Sequence, residues 1–415
     1  MRRRTLLAAS LLAAPALAQA APKLVVIGGG FGGATAARAL HRAGLAVTLV
    51  EPAEVYVSCP FSNAVIAGLR EMDQQCFSYA GLRRDGIAVA HQAATAVDAA
   101  ARRVTLADGT VLPYDRLVMA PGIDPRFDGS PGALPGYDQA AAEMMPHAWK
   151  AGAQTLLLRR QLEAMEDGGL VVMAVPANPF RCPPGPYERA SLIAHYLKTH
   201  KPRSKLMVLD AKDVFSKQKL FEQAWAALYP GLLEYVPLSM GGKVTEVDVA
   251  GRVLRTEFGD HDAAVANVIP PQRAGRIAEA AGVADRSGWC PVDPVTFESR
   301  LRPGIHVIGD AIIAGAMPKS AFAANAQARV CAEAVVGLLR GEAPAAPKLI
   351  NTCYSLVAPD YGISIAGVYQ PANGLLTDVP GAGGTSPLEA PASTRHAEAG
   401  YAEDWFRTIT ADVFG

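Results

Sequence analysis

The chain has 415 residues, half of them hydrophobic and 19% charged, which is enough for two or three globular domains with cores of their own. Its 39 basic residues balance 39 acidic ones, so no basic stripe points to nucleic acid and no charge block reads as a tail. The six cysteines form neither C-x-x-C nor C-x-x-C-H, which excludes a zinc knuckle and a c-type haem on this chain.

Residues 1–20, MRRRTLLAASLLAAPALAQA, carry Arg2, Arg3 and Arg4, a short apolar run and an A-x-A site. This is the pattern of an export signal peptide, and the apolar run is too short to span a bilayer. The paired arginines before Thr5-Leu6-Leu7 predict the twin-arginine route, which exports proteins already folded around a cofactor. A periplasmic location permits disulfides.

Lys23 to Glu51 reads as one β-α-β unit. Leu24 to Ile27 is a buried-strand run, and Gly28, Gly30 and Gly33 supply G-x-G-x-x-G. An alanine-rich helix and the strand AVTLV follow, ending at Glu51. Strand, glycines, helix and acid together form a dinucleotide-binding fingerprint. Gly28 makes the turn, Gly30 lets the backbone approach a pyrophosphate and Gly33 lets helix and strand pack. The helix N-terminus attracts phosphate, and Glu51 is the expected ribose ligand.

Two later segments resemble elements of the glutathione-reductase-like FAD fold: PYDRLVMAPGIDP, Pro113 to Pro125, and LRPGIHVIGDA, Leu301 to Ala311. In that fold the aspartate of Gly-Asp, here Gly309-Asp310, binds the ribityl chain, so FAD is the expected nucleotide. Lys319 follows, and its charge or the adjoining helix N-terminus is expected at the flavin pyrimidine edge.

GLVVMAV, the helix YERASLIAHYLKTH and SKLMVLDA repeat the β-α-β plan. Their turn is PANPFRCPPGPYE, with the single glycine Gly185 between prolines. Prolines remove amide donors, so the expectation is a nicotinamide domain whose fold is kept and whose site is filled. Cys182 would then stand where a nicotinamide approaches a flavin, and a cysteine there can exchange with a sulfur nucleophile. His195 and His200 read as solvated or core residues. The tail shows a strand-like YGISIAGVY, a loop-like GAGGTSPLEAPAST and few helix signals.

The expected architecture is α/β, a two-dinucleotide-binding-domain flavoprotein of the glutathione-reductase type. It divides into an export signal (1–20), an FAD-binding domain (22–136 plus 288–346), an NAD-like domain without an NAD site (137–287) and a C-terminal interface domain that shields the flavin (347–415).

Over nearly the whole chain after the signal, the motifs VIGGGFGG, VSCPFSNAVIAG, RCPPGPYERASLIAHYLK, MPKSAFAANAQA, NTCYSLVAPDYGISIAGVY and WFRTITADVFG occur in one order. The chain thereby resembles the flavoprotein subunit of flavocytochrome c sulfide dehydrogenase, together with the related flavoprotein of the periplasmic sulfur-oxidation system. The resemblance implies that Cys59 is joined to the flavin 8α-methyl by a thioether. It also implies that Cys182 and Cys353 form a redox disulfide beside the isoalloxazine ring, and that Glu188 is a candidate acid/base. Hydrosulfide attack on that disulfide would give a persulfide and a thiolate, with two electrons passing to FAD. A bridge between such distant cysteines could instead be structural, because closing so long a loop stabilises by over ~4 kcal/mol. Of the other cysteines, Cys331 reads as a core residue, and Cys76 and Cys290 could pair.

The implied function is periplasmic sulfide oxidation with a c-type cytochrome subunit, mono- or di-haem, as electron acceptor. No nucleic acid or stable membrane insertion is expected. Two alternatives remain: a sulfide:quinone or NADH:quinone reductase, and a flavin-bound accessory of a sulfur-oxidation complex.

Overall fold

The computed structural model describes residues 21–127 and 129–415; the export signal expected at 1–20 lies outside them. The strand Lys23–Ile27, the helix Phe31–Arg42 and the strand Ala46–Val50 form the unit read from the glycine pattern. The two strands pair in parallel from Lys23↔Ala46 to Ile27↔Val50. Leu24, Val25, Val26 and Ile27 are all buried, as befits a parallel sheet covered on both faces.

That sheet has five strands, in the order Ile305–Val307, Arg116–Met119, Lys23–Ile27, Ala46–Val50, Ala88–Ala90. All pairs are parallel. The late strand Ile305–Val307 thus returns to a sheet built from the first part of the chain, and it delivers Gly309-Asp310 beside the Gly28 turn. The helix Ala321–Leu339 packs against Phe31–Arg42 and completes that layer.

A second parallel sheet has the order Leu233–Val236, Lys205–Asp210, Leu170–Val175, Val265–Val268. The helix Gly185–His200 is the crossover between its two central strands. An antiparallel pair, Ile123–Pro125 with Gln272–Ala274, ties the two sheets together.

The C-terminal region is a long antiparallel hairpin, Leu349–Ala358 with Tyr361–Ala372, extended by Leu375–Asp378 and Gly384–Thr385. The helix Ala392–Phe414 then runs for 23 residues, in a tail read from sequence as short of helix. Its buried residues, among them Arg395, Ala399, Ala402, Phe406, Ile409 and Val413, do recur at helical spacing. The first turns of that stripe are not hydrophobic, however. Arg395 and Glu398 bury an ion pair at 3.3 Å, and Glu398 Oε1 accepts from Ser364 Oγ at 3.0 Å. Polar groups satisfied by tertiary contacts replace the apolar signal that sequence periodicity needs. Among the described residues, no helix is long and apolar enough to cross a membrane.

Candidate active site

A continuous cavity runs from the glycine turn of the first sheet to the junction of both sheets with the C-terminal hairpin. At one end, Gly28 holds φ 97°, and a Cβ there would overlap the carbonyl of Ala120. A Cβ at Gly33 would overlap the carbonyl of Gly28, so only glycine lets the helix sit this close to the strand. The helix N-terminus at Gly30 and Phe31 opens into the cavity. Glu51 lines it too, its carboxylate held by the amides of Gly29 at 2.7 Å and Ala53 at 3.0 Å.

Further along, Gly309 holds φ 75° and donates its amide to Gln327 Oε1 at 2.8 Å. This aims Asp310 into the cavity, where burial raises its pKa. Among the described residues, Asp310 Oδ1 and the indole nitrogens of Trp149 and Trp405 are buried without hydrogen-bond partners, and all three residues line this cavity. Buried polar atoms are ordinarily paired. Orphans along one wall, ending at a glycine cradle, suit a long polar-and-aromatic nucleotide, and FAD fits. Glu51 would hold its ribose, the Gly28–Gly33 turn its pyrophosphate and Asp310 its ribityl chain.

At the other end lie the three cysteines read as functional. Cys59 sits in the turn between the strand Val55–Val57 and the helix Ser62–Ile66. Its Sγ is 3.8 Å from the carbonyl oxygen of Trp149. Cys182 is held left-handed at φ 57°, its amide donating to Lys319 O and its carbonyl accepting from Gly185 N, both at 2.8 Å. Cys353 comes from the middle of the strand Leu349–Ala358, where its Sγ accepts from Asn351 Nδ2 at 3.2 Å. Cys182 and Cys353 are free thiols lining the same wall. Burial raises the pKa of both, and for Cys182 the next contribution comes from Cys353 itself.

Glu188 stands in the first turn of Gly185–His200 and ties three parts of the chain together. Its Oε2 accepts from Asn63 Nδ2 and its Oε1 from the amide of Leu356, both at 2.9 Å. Burial nevertheless pushes its pKa up, against those two hydrogen bonds.

Two expectations are corrected, and one pairing that the sequence left open is decided. The ammonium of Lys319 does not reach the cavity. It donates to the carbonyls of Asp310 at 2.8 Å and Ile312 at 2.5 Å and lies 4.0 Å from the centroid of the Trp289 ring. It therefore braces the Gly309-Asp310 turn from behind. The neighbouring helix N-terminus, capped by Ser320, lines the wall instead. Cys76 and Cys290 do not pair: both are free, Cys76 exposed on Cys76–Ser78 and Cys290 fully buried on Cys290–Pro291.

The second correction concerns the second β-α-β turn. The space beyond it is not filled, since a second cavity there is lined by Pro176, Asn178, Pro179 and Lys243 among others. What the turn lacks is donors. Asp210, at the strand end where Glu51 stands in the first unit, is fully buried and bound to Lys212 Nζ and Tyr187 Oη, both at 2.5 Å. Tyr187 stacks on Phe215 with centroids 3.5 Å apart. The acid that would take a ribose is consumed within the fold, and rings cover it.

Sequence reasoning missed Asn63, Arg189 and Lys217. Arg189 is 1% exposed and joins Asn63 Oδ1, the carbonyls of His147 and Ala148, and Asn267 Oδ1. It ties the helix Ser62–Ile66 and the His147–Ala148 loop to the second-sheet strand Val265–Val268. Each of the three reads from sequence as an ordinary surface residue, and no local signal sets it apart.

Comparison with known proteins agrees with this geometry. Residues 22–154 match the family model described as pyridine nucleotide-disulphide oxidoreductase. Residues 155–270 match the central region of the sulfide dehydrogenase [flavocytochrome c] flavoprotein chain, and residues 345–414 the flavin-binding region of flavocytochrome c sulphide dehydrogenase. The sulfide dehydrogenase flavoprotein chain of Chlorobaculum thiosulfatiphilum is 56% identical over 45 residues, 10% of this chain and 94% of that sequence. A type II NADH:quinone oxidoreductase of Mycobacterium tuberculosis is 36% identical over 113 residues, 26% of this chain and 24% of its own. In fold, the sulfide:quinone oxidoreductase of Aquifex aeolicus superposes with TM-score 0.74 at 16% identity, over 94% of this chain and 92% of that one. Putidaredoxin reductase, in its covalent complex with putidaredoxin, gives 0.65 at 17% identity, over 91% and 93%. The two solved structures establish the glutathione-reductase-like fold alone, whereas the family matches and the Chlorobaculum relative go further: this chain belongs to the flavocytochrome c sulfide dehydrogenase flavoprotein family.

Proposed function

We propose that the chain is an exported, FAD-dependent sulfide dehydrogenase that works through Cys182 and Cys353 and passes electrons to a c-type cytochrome subunit. The observation that carries this reading is the meeting of Cys182, Cys353 and Glu188 on one cavity wall, each from a different element, with a nucleotide cradle at the cavity's other end. FAD held in this cavity, with Cys59 as its tether, would supply a two-electron acceptor.

The chain's own chemistry balances. Hydrosulfide attacks one sulfur of the oxidised pair, forming Cys–S–SH and leaving a thiolate on the other cysteine. A second hydrosulfide removes the outer sulfur as hydrodisulfide, and the two cysteines are left reduced. Their reoxidation to the disulfide releases the two electrons taken from sulfide. The sequence has no c-type haem motif and no metal-holding cluster occurs among the described residues, so a separate one-electron acceptor is needed, and a c-type cytochrome is the acceptor class suited to the periplasm.

Two measurements test this. Purified holoprotein under anaerobic conditions should have its flavin bleached by sulfide and reduce a c-type cytochrome. Micromolar NADH should leave the flavin oxidised, because Asp210 and the proline turn offer it no binding groups. Rapid bleaching by NADH, or electron delivery to quinone in preference to cytochrome, would overturn the reading.

The second measurement concerns Glu188. As the base that takes the proton of hydrogen sulfide, it acts only when ionised. The sulfide-dependent rate should therefore rise with pH through a value above the ordinary ~4.3 of a glutamate, since burial raises Glu188. Glu188→Gln should lower the rate and remove that limb of the profile. An unchanged profile would take Glu188 out of proton transfer.

A further inference from the structure

The thiol pair has a charged neighbour that the resemblance did not point to. Lys217 precedes the helix Gln218–Leu228 of the second domain and holds the left-handed φ 63°. Its side chain turns inward and is 7% exposed. The ammonium donates to the carbonyl of Cys353 at 3.0 Å, to Ser355 Oγ at 2.8 Å and to the carbonyl of Ile363 at 3.4 Å. All three acceptors are neutral, and Lys217 has no carboxylate in ion-pair contact among the described residues. A buried ammonium without a bound counter-charge is costly. The groups of opposite charge that act on it are Cys353 first, then Glu188, Cys182 and Glu398, and its direct bond to the Cys353 carbonyl fixes it to the strand that carries that cysteine. Burial brings its pKa down to about 8, and it is still largely charged at neutral pH.

We infer that Lys217 is a positioning residue that makes Cys353 the leaving thiolate when hydrosulfide opens the oxidised pair. This rests on the Cys182–Cys353 redox reading. Hydrosulfide bonds to Cys182 Sγ, the Cys182–Cys353 bond breaks, and its electron pair leaves on Cys353, the residue whose carbonyl the ammonium holds. The persulfide forms on Cys182, and one negative charge enters and one remains. The two cysteines are asymmetric in the sense required. Burial raises both, Glu188 adds to the rise at each and Lys217 lowers each, but the order differs: at Cys182 Cys353 and Glu188 come ahead of the lowering charges, whereas at Cys353 Asn351, Lys217 and Ser320 come ahead of Glu188. The charged and titratable groups facing the pair are Lys217, Glu188, Arg181, Arg189, Tyr369 and Glu398. Arg181 acts on Cys182 as a lowering charge but ranks behind Cys353 and Glu188 there.

The test is the pH dependence of alkylation of the reduced protein, read for the Cys182 and Cys353 peptides separately by mass spectrometry. In the unmodified sequence Cys353 should be alkylated with the lower midpoint. Lys217→Met should raise the Cys353 midpoint by about 1 to 3 pH units, the range expected for removing a nearby opposite charge, and should move Cys182 less. Lys217→Gln, which can still hydrogen-bond Ser355, should behave like Lys217→Met and separates the charge from the contact. Equal midpoints for the two cysteines in the unmodified sequence would overturn the inference even if neither variant folds, and so would an unshifted Cys353 midpoint in a folded variant. Failure of sulfide to bleach the flavin would sink the redox reading instead, without touching these midpoints.

Discussion

Cys182→Ser should lose sulfide-driven cytochrome c reduction by orders of magnitude while its FAD stays bound. The physical grounds are local. Cys182 lies in a turn fixed through backbone atoms, the amide to Lys319 and the carbonyl to Gly185, so exchanging sulfur for oxygen leaves the turn in place. The groups suited to the nucleotide, Gly28, Gly30, Glu51 and Asp310, lie just past strand ends of the first sheet. What disappears is a sulfur that can accept attack by hydrosulfide and release a thiolate, and a serine hydroxyl does neither. Cys353→Ser should lose as much, and the double variant should be no worse than either single one, because the two act as a unit. The measurement is sulfide-dependent cytochrome c reduction alongside the flavin spectrum of the purified variant. A Cys182→Ser protein that turns over at the original rate would make the pair structural and end the proposed mechanism.

The second large effect is expected at Cys59. Acid-precipitated protein should stay yellow, and the tryptic peptide containing Cys59 should carry the flavin mass. Cys59→Ala should release all of the flavin into the supernatant while the glycine cradle still binds it in native buffer. Cys59 lies on the same cavity wall as Cys182, close to the carbonyl of Trp149, and its turn is anchored by Ser58 N to Gln75 O at 2.8 Å and Ser62 N to Cys59 O at 3.0 Å. A thiol fixed by backbone bonds at one place on a cofactor wall can make one specific bond to that cofactor. In the proposed exported location a lost flavin is not replaced, which gives a covalent tether its use. Colourless precipitate from the unmodified sequence would show that the linkage is absent.

The amino-acid sequence by itself determined the elements whose signals are local. Leu24 to Ile27 is apolar at every position, the glycines follow at the spacing a strand-to-helix turn requires, and Glu51 closes the unit, so fold and nucleotide end were legible together. The Pro-rich turn around Cys182 announced missing amide donors in the same way, although only the packing revealed Asp210 tied to Tyr187 and Lys212 rather than a filled groove. That Cys59, Cys182 and Cys353 belong to one site was legible through family motifs, not through spacing. The tertiary structure decided the charges. A lysine before an amphipathic helix reads as solvated, yet Lys217 is drawn beneath the cysteine strand. A lysine after Gly-Asp reads as facing a cofactor, yet Lys319 folds back under its own turn. The helix Ala392–Phe414 stayed hidden because its buried stripe begins with Arg395 and Glu398, which are satisfied by each other, by the carbonyls of Pro387 and Leu388, and by Ser364 and Ser386. In each of these cases the deciding term is desolvation of a polar group, and its cost depends on partners far along the chain that no local periodicity can report.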